Sequence, residues 1–318
     1  MRSTSPPLPS GLPTLDVVMV APRGFCAGVR RAIRAVEDAL DHHGAPVYVR
    51  RAIVHNLEVV RSLETKGAVF VEELDEVPEG GIVIFSAHGV APEIAAEARR
   101  RGLKSYDAVC PLVAKVHREV ERHQRNGREI VLIGHEGHPE IQGTVGRLRS
   151  AHLVQHVTDV EALPIAPDAP VAYAVQTTYS ESDAAEIVEA LRRSFQDLEE
   201  PATSDICYAT TNRQRAITDT AGHVDGVIVV GEHFSSNACR LTEVAAQRCR
   251  SVQLAAGPHE LNWDLLSGLG SVAITAAAST PETSVAAIVE ALRSRFTVRM
   301  SEQAGIAEQT MFKPVAIA

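Results

Sequence analysis

Eight short apolar runs punctuate the chain: DVVMV at 16–20, APVYV at 45–49, GAVFV at 67–71, GIVIF at 81–85, REIVLI at 128–133, VAYAV at 171–175, DGVIVV at 225–230 and SVAIT at 271–275. Between them, apolar residues recur at helical spacing over 92–101, 113–126, 181–195, 238–249 and 282–295. Continuous apolar strands alternating with amphipathic helices are what parallel sheets covered on both faces require. With 318 residues there is room for two or three such domains.

Five of the runs lead directly into polar stretches. GIVIF leads into SAHGV, EIVLI into GHEGHPEIQGT, VAYAV into QTTYS, GVIVV into GEHFSSN, and SVAIT into AAAST. In open α/β sheets ligands bind at the carboxyl ends of the strands. Ser, Thr and Asn there also serve as helix N-caps, but five ends carrying His, Thr, Ser and Asn offer more polar groups than capping needs. Neither a GxGxxG fingerprint nor a P-loop is present.

Cysteine placement adds a second constraint. Cys26, Cys110 and Cys207 each come after a turn and precede an amphipathic run, in PRGFCAGVRRAI, DAVCPLVAKVH and DICYATTNRQ. That puts each thiol just before a helix N-terminus, where backbone N–H groups and the helix dipole favour a thiolate. Five cysteines are an odd number, too sparse for a disulfide scaffold. A reducing cytosol, where cysteines serve metals or catalysis, fits better. The three lie 84 and 97 residues apart, one per unit, as if three small α/β units met at a common centre with boundaries near 110 and 204. Cys239 and Cys249 read as packing residues.

Charge and composition exclude other classes. A formal net charge of −9, 4% aromatic residues and no long Lys/Arg run argue against nucleic-acid and membrane-surface partners. The first fourteen residues lack an apolar core and read as a disordered leader, not a secretory signal. Three thiolates could hold a zinc ion or an iron–sulfur cluster; the CxxC pairs typical of structural zinc are missing, and a four-iron cluster held by three cysteines keeps one iron open. The residues alone leave both choices standing.

The motifs PRGFCAGVRRAI, YVRRAIVHN, IFSAHGV, DAVCPLVAKVH, GHPEIQGT, QTTYS, DICYATTNRQ, SSN and AST occur in this order over roughly 15–315. Together they resemble the LytB family of 4-hydroxy-3-methylbut-2-enyl diphosphate reductases. The resemblance implies three parallel-sheet α/β domains arranged as a trefoil around one 4Fe–4S cluster, held by Cys26, Cys110 and Cys207. It implies domains at 15–110, 111–203 and 204–299 and a tail at 300–318, with the strand at 16–20 and Cys26 able to pack on the third. The reaction implied is removal of the hydroxyl from an allylic diphosphate, giving isopentenyl and dimethylallyl diphosphate, the last step of the non-mevalonate isoprenoid pathway. A ferredoxin- or flavodoxin-type donor in the cytoplasm would supply electrons. Glu140 matches the proton source and Thr177 the group that positions the substrate hydroxyl. His55, His88, His138, Ser235, Ser236, Asn237 and Ser279 match the diphosphate ligands, as imidazolium and hydroxyl donors. The other ten histidines read as packing or surface residues, His135 the most ambiguous of them. Three positions depart from the family pattern: Phe234, Ala238 and Ala277. Phe234 is expected to pack behind its loop against apolar strand ends. A zinc-dependent hydrolase with Glu140 as base, and a non-catalytic iron–sulfur sensor, are the alternatives.

Overall fold

The computed structural model describes residues 11–318, so residues 1–10 of the leader read at 1–14 lie outside the described residues; at its other end the reading is corrected, because Thr14 already begins a strand paired with Thr297. Thirteen strands are present among them. They are β1 Thr14–Met19, β2 Val47–Arg50, β3 Ala68–Val71, β4 Ile82–Phe85, β5 Lys104–Asp107, β6 Glu129–Ile133, β7 His152–Val154, β8 Pro170–Val175, β9 Asp197–Glu199, β10 Gly226–Val230, β11 Ser251–Ala255, β12 Ser271–Ala276 and β13 Thr297–Glu302. They form three sheets, ordered β3-β2-β4-β5, β7-β6-β8-β9 and β11-β10-β12-β1-β13. Every pairing is parallel.

All eight apolar runs are strands. They are apolar throughout because their two faces feed two cores. In β10, Ile228 and Val230 pack into one cluster and Val227 and Val229 into another. In β6, Val131 and Ile133 face one core, and Ile130 and Leu132 the other. The five strands without an apolar run (β5, β7, β9, β11 and β13) all lie at sheet edges, where one side pairs with nothing and polar residues are tolerated. The helical spacings also correspond to helices, at Pro92–Arg100, Pro111–Arg125, Glu181–Ser194, Ser236–Ala246 and Glu282–Arg293. Cys249 lies beyond the fourth of these, buried between exposed neighbours.

The three sheets repeat one topology that sequence similarity does not reveal. Within the first lobe the strands run second-first-third-fourth, as β3-β2-β4-β5, and the second lobe repeats this as β7-β6-β8-β9. The third lobe takes its fourth strand from the start of the chain: β1 lies beside β12 and pairs on its other side with β13. In each lobe the fourth strand leads to a cysteine, to Cys110 after β5, Cys207 after β9 and Cys26 after β1. Past β13, which ends three residues into the segment read as a tail, the chain returns to the first lobe, where Val315 and Ile317 pack on its core. Among the described residues no helix is long and apolar enough to cross a membrane.

Candidate active site

Because all strands are parallel within each sheet, their carboxyl ends collect on one side of each lobe, and the three sides face one another around a cavity. It encloses about 670 Å³ of empty space, its open mouth included. Cys26, Cys110 and Cys207 all line it, as do Glu140, Thr177, His55, His88, His138, Ser235, Ser236, Asn237 and Ser279. The structure thus brings together every residue singled out in the sequence as a ligand or catalytic group. Cys239 and Cys249 are elsewhere: the Cys239 thiol donates to the His233 carbonyl, and Cys249 is buried beside Val244.

The three thiols are built alike. Each cysteine is the N-cap of a helix, before Ala27–His43, Pro111–Arg125 and Tyr208–Ala221. Cys26 Sγ accepts from the Val29 N–H, and Cys207 Sγ accepts from the Thr210 N–H, each at 3.4 Å. Burial pushes the Cys110 thiol up to about 12, and its two fellow thiols add to the shift. Burial, then Cys26, pushes Cys207 up to about 11. The helix caps alone therefore do not suffice to ionise Cys110 and Cys207. The first helical turn also comes close: a side chain at Gly28 would place its first carbon 2.8 Å from Cys110 Sγ and 3.7 Å from Cys26 Sγ.

The same cavity holds a buried acid. Glu140 is 2% exposed, in the first turn of the helix Pro139–Val145. Its two oxygens accept from one residue, Thr177, whose N–H donates to Oε1 at 2.7 Å and whose hydroxyl donates to Oε2 at 2.8 Å. Burial raises the carboxyl to about 7 against these two bonds, and nearby Asp205 raises it further. It can therefore carry a proton near neutral pH.

The histidines stack into a group. The His55 and His88 rings lie 4.2 Å apart, with His138 at 5.3 Å from the first and 5.8 Å from the second. Burial lowers His55 to about 4 and His138 to about 3, and holds His88 well below its ordinary value, with its two neighbours adding to the effect. Against the expectation of imidazolium donors, burial favours the neutral form of all three rings. His138 Nδ1 accepts from the Glu140 N–H, so its proton sits on Nε2. Nε2 of His138 and of His55 has no partner among the described residues.

On the third lobe, Ser235 caps the helix Ser236–Ala246. The Ser236 hydroxyl accepts from Thr178 at 3.3 Å, Asn237 bridges Thr210 and the Ala278 N–H, and the Ser279 hydroxyl donates to the His55 carbonyl. Thr178 and Thr210 line the cavity but were not singled out in the sequence. Thr210 stands three residues after Cys207, the spacing of a cap contact, and Thr178 shares the QTTYS motif.

The departures fall in two places. Ala238 and Ala277 are fully buried, and a side chain at Gly231 would meet both; they fill space behind the loop. Phe234 does not. It is 48% exposed, with its ring edge-to-face on His55 at 5.9 Å. The expectation that it packs behind the loop is therefore wrong: Ala238 already occupies that space, and the ring turns outward.

The model of the LytB protein family matches residues 17–293. The chain belongs to the LytB family. LytB-family relatives include proteins named 4-hydroxy-3-methylbut-2-enyl diphosphate reductase from Methylocella silvestris, 50% identical over 95% of this chain and 96% of that one, and from Hahella chejuensis, 49% identical over 94% and 96%. A solved LytB-family structure, the E-1-hydroxy-2-methyl-but-2-enyl-4-diphosphate reductase from Plasmodium falciparum, superposes with a TM-score of 0.89 at 38% identity, covering 95% of this chain and 96% of that one. A second, described as the terminal enzyme of the non-mevalonate pathway, gives a TM-score of 0.63 at 31% identity over 88% of this chain.

Proposed function

We propose that the chain reduces (E)-4-hydroxy-3-methylbut-2-enyl diphosphate to isopentenyl and dimethylallyl diphosphate in the cytoplasm, as the last step of the non-mevalonate pathway. Two electrons and two protons enter, the allylic C–O bond breaks, one proton leaves with the hydroxyl as water, and the other forms a C–H bond. Membership of the LytB family supports the reaction. The observation that carries it to this chain is the buried Glu140–Thr177 pair in the same cavity as three cysteines at helix N-cap positions.

The thiols suit an iron–sulfur cluster. They line one cavity, half-buried, like charges oppose the ionisation of Cys110 and Cys207, and glycine keeps the space beside two of them open. A cationic group would relieve that mutual repulsion. Among the described residues no three His, Cys, Asp or Glu side chains converge on one ion, whereas a cluster takes each thiolate at a separate corner. Cys26, Cys110 and Cys207 would hold one 4Fe–4S cluster, which when bound supplies electrons singly from a ferredoxin- or flavodoxin-type donor and Lewis acidity at the iron without a protein ligand.

The chain's own residues account for the rest. Thr177 receives the substrate hydroxyl and hands it a proton from Glu140. The diphosphate finds its donors in the same cavity, lined by the unpartnered Nε2 groups of His55 and His138 and, from the third lobe, by Ser235, Ser236, Asn237 and Ser279. An entering anion raises the affinity of those rings for protons, so neutral histidines can become charged donors on binding. The hydrolase and sensor readings gain no support from the relatives, which are named as reductases, and Glu140 and Thr177 are both intact. Anaerobic purification with iron, sulfide and zinc analysis tests the proposal, alongside turnover of the allylic diphosphate with a reduced dye. About four irons and four sulfides per chain, with conversion to both products, are expected. Stoichiometric zinc without iron would overturn the reading.

A further inference from the structure

Behind the cavity, two arginines and the C-terminal segment tie the three cysteine loops to one another. Arg213 lies in the helix that Cys207 caps and is fully buried. One of its guanidinium nitrogens donates to the Gly24 carbonyl at 2.7 Å, two residues before Cys26. A second donates to the Ala209 carbonyl, close to Cys207, at 2.8 Å. Arg31 lies in the helix that Cys26 caps, and donates at 2.9 Å to the carbonyl of Val109, the neighbour of Cys110. Cys207 is thereby linked to Cys26, and Cys26 to Cys110.

Both arginines take further partners from the same place. Glu308 pairs with Arg213 at 2.8 Å and accepts from Asn212, and the Lys313 carbonyl accepts from Arg31 at 2.8 Å. The segment holding these groups is firmly seated. A side chain at Gly305 would collide with the Ala21 carbonyl, Val315 and Ile317 pack on the first core, and the Ala318 carbonyl accepts from the Tyr106 hydroxyl. A guanidinium this deeply buried is costly without its counter-charge, so Glu308 decides whether Arg213 stays in place.

We infer that Arg31, Arg213 and Glu308 are positioning residues that, with the C-terminal segment, clamp the three thiol loops at a fixed separation and slow the loss of whatever metal group the thiols hold. This rests on the cluster reading above. It adds that the grip on the cluster is set from outside the cavity, by residues that touch neither thiol nor substrate.

The experiment monitors iron release from anaerobically reconstituted holoprotein to a colorimetric ferrous chelator, with thermal unfolding of the corresponding apoproteins measured beside it. Glu308→Gln keeps the side-chain shape and removes the charge. It is expected to release iron at least tenfold faster than the parent, with an apoprotein midpoint within a few degrees of the parent's. Glu308→Asp, which restores the charge, should return release to within about threefold of the parent. Arg299→Met breaks an exposed ion pair with Asp16 and should leave release unchanged. Release by Glu308→Gln within twofold of the parent overturns the clamp, as does Glu308→Asp behaving like Glu308→Gln, or Arg299→Met accelerating release equally. Should Glu308→Gln fail to fold, Arg31→Met carries the same test through the Cys26–Cys110 link. A parent that holds no iron would instead defeat the cluster reading.

Discussion

The second and third lobes are the same construction put to different uses. Both order their strands second-first-third-fourth, both send a cysteine to the centre after the fourth strand, and both line the cavity with the ends of the first and third. In the second lobe those ends carry His138, Glu140 and Thr177, an acid and its hydrogen-bond partner sealed from water. In the third they carry Ser235, Ser236, Asn237 and Ser279, groups that donate and accept without titrating at neutral pH. One lobe can hold and move a proton; the other can only bind. A pseudo-symmetric scaffold thus separates chemistry from recognition by changing two loop ends per lobe while the fourth-strand end stays constant.

The constant element gives the largest expected effect. Serine at Cys110, Cys207 or Cys26, one per lobe, should give iron-poor, colourless protein in each case, since all three sit in equivalent cap positions. Serine at Cys239 or Cys249 should leave iron content unchanged. Iron analysis of the five variants checks this, and a bleached Cys239→Ser would break the equivalence of the lobes.

The loop ends come next. Glu140→Gln keeps the shape and removes the proton, so iron content should hold while kcat falls by about a hundred- to ten-thousandfold. The same carboxyl sets a pH dependence. Its ordinary value is near 4.5 and burial raises it to about 7, so between those values the folded chain holds a proton that the unfolded chain has lost. Stability from this group is therefore full below about 4.5 and is lost as pH rises through about 7. The acid form needed for kcat/KM disappears over the same upper limb. Both slopes should vanish in Glu140→Gln, as measured by denaturant unfolding of the apoprotein and by pH–rate profiles of parent and variant. Ser236→Ala, on the third lobe, should raise KM about ten- to a hundredfold, the worth of one hydrogen bond to a charged group, and leave kcat and both pH slopes in place. A serine variant that lowered kcat instead would erase the division between the lobes.

The same architecture explains how much was legible in the sequence. Interior strands are apolar on both faces and announce themselves, as REIVLI and DGVIVV do. Edge strands such as KSYD at 104–107 carry polar residues and short lengths, and nothing in their pattern separates them from loops. The threefold repeat was hidden because its third copy is closed by a strand from the opposite end of the chain, which no local comparison can find. Cavity residues within long motifs were legible. Thr178 and Thr210 were not, because hydroxyls near a helix start carry the same signature whether they cap or line a site. The charge state of the histidines was out of reach, since it depends on burial that only the assembled lobes create. Arg213 and Glu308 lie 95 residues apart, and no spacing rule pairs them.

Phe234 carries the smallest expected effect and tests the binding side of the comparison most finely. It stands at the mouth of the third lobe's first loop, half exposed, with its ring against His55 of the first lobe. An aromatic pair contributes about 0.5–1.5 kcal/mol beyond area burial, and half exposure puts this one toward the lower end. Asn in its place would give up that contact and add a donor and an acceptor at the mouth. Ser235, Ser236 and Asn237 line the cavity from the next three positions, and none depends on the Phe234 side chain for its hydrogen bonds. Diphosphate binding should therefore be nearly indifferent to the exchange, with KM changing less than about threefold in Phe234→Asn, under the roughly 1.4 kcal/mol of one tenfold step. Steady-state kinetics on the allylic diphosphate decides it. A gain of tenfold or more in kcat/KM would mean that Phe234 obstructs this substrate, and that the third lobe's mouth is shaped for a different one.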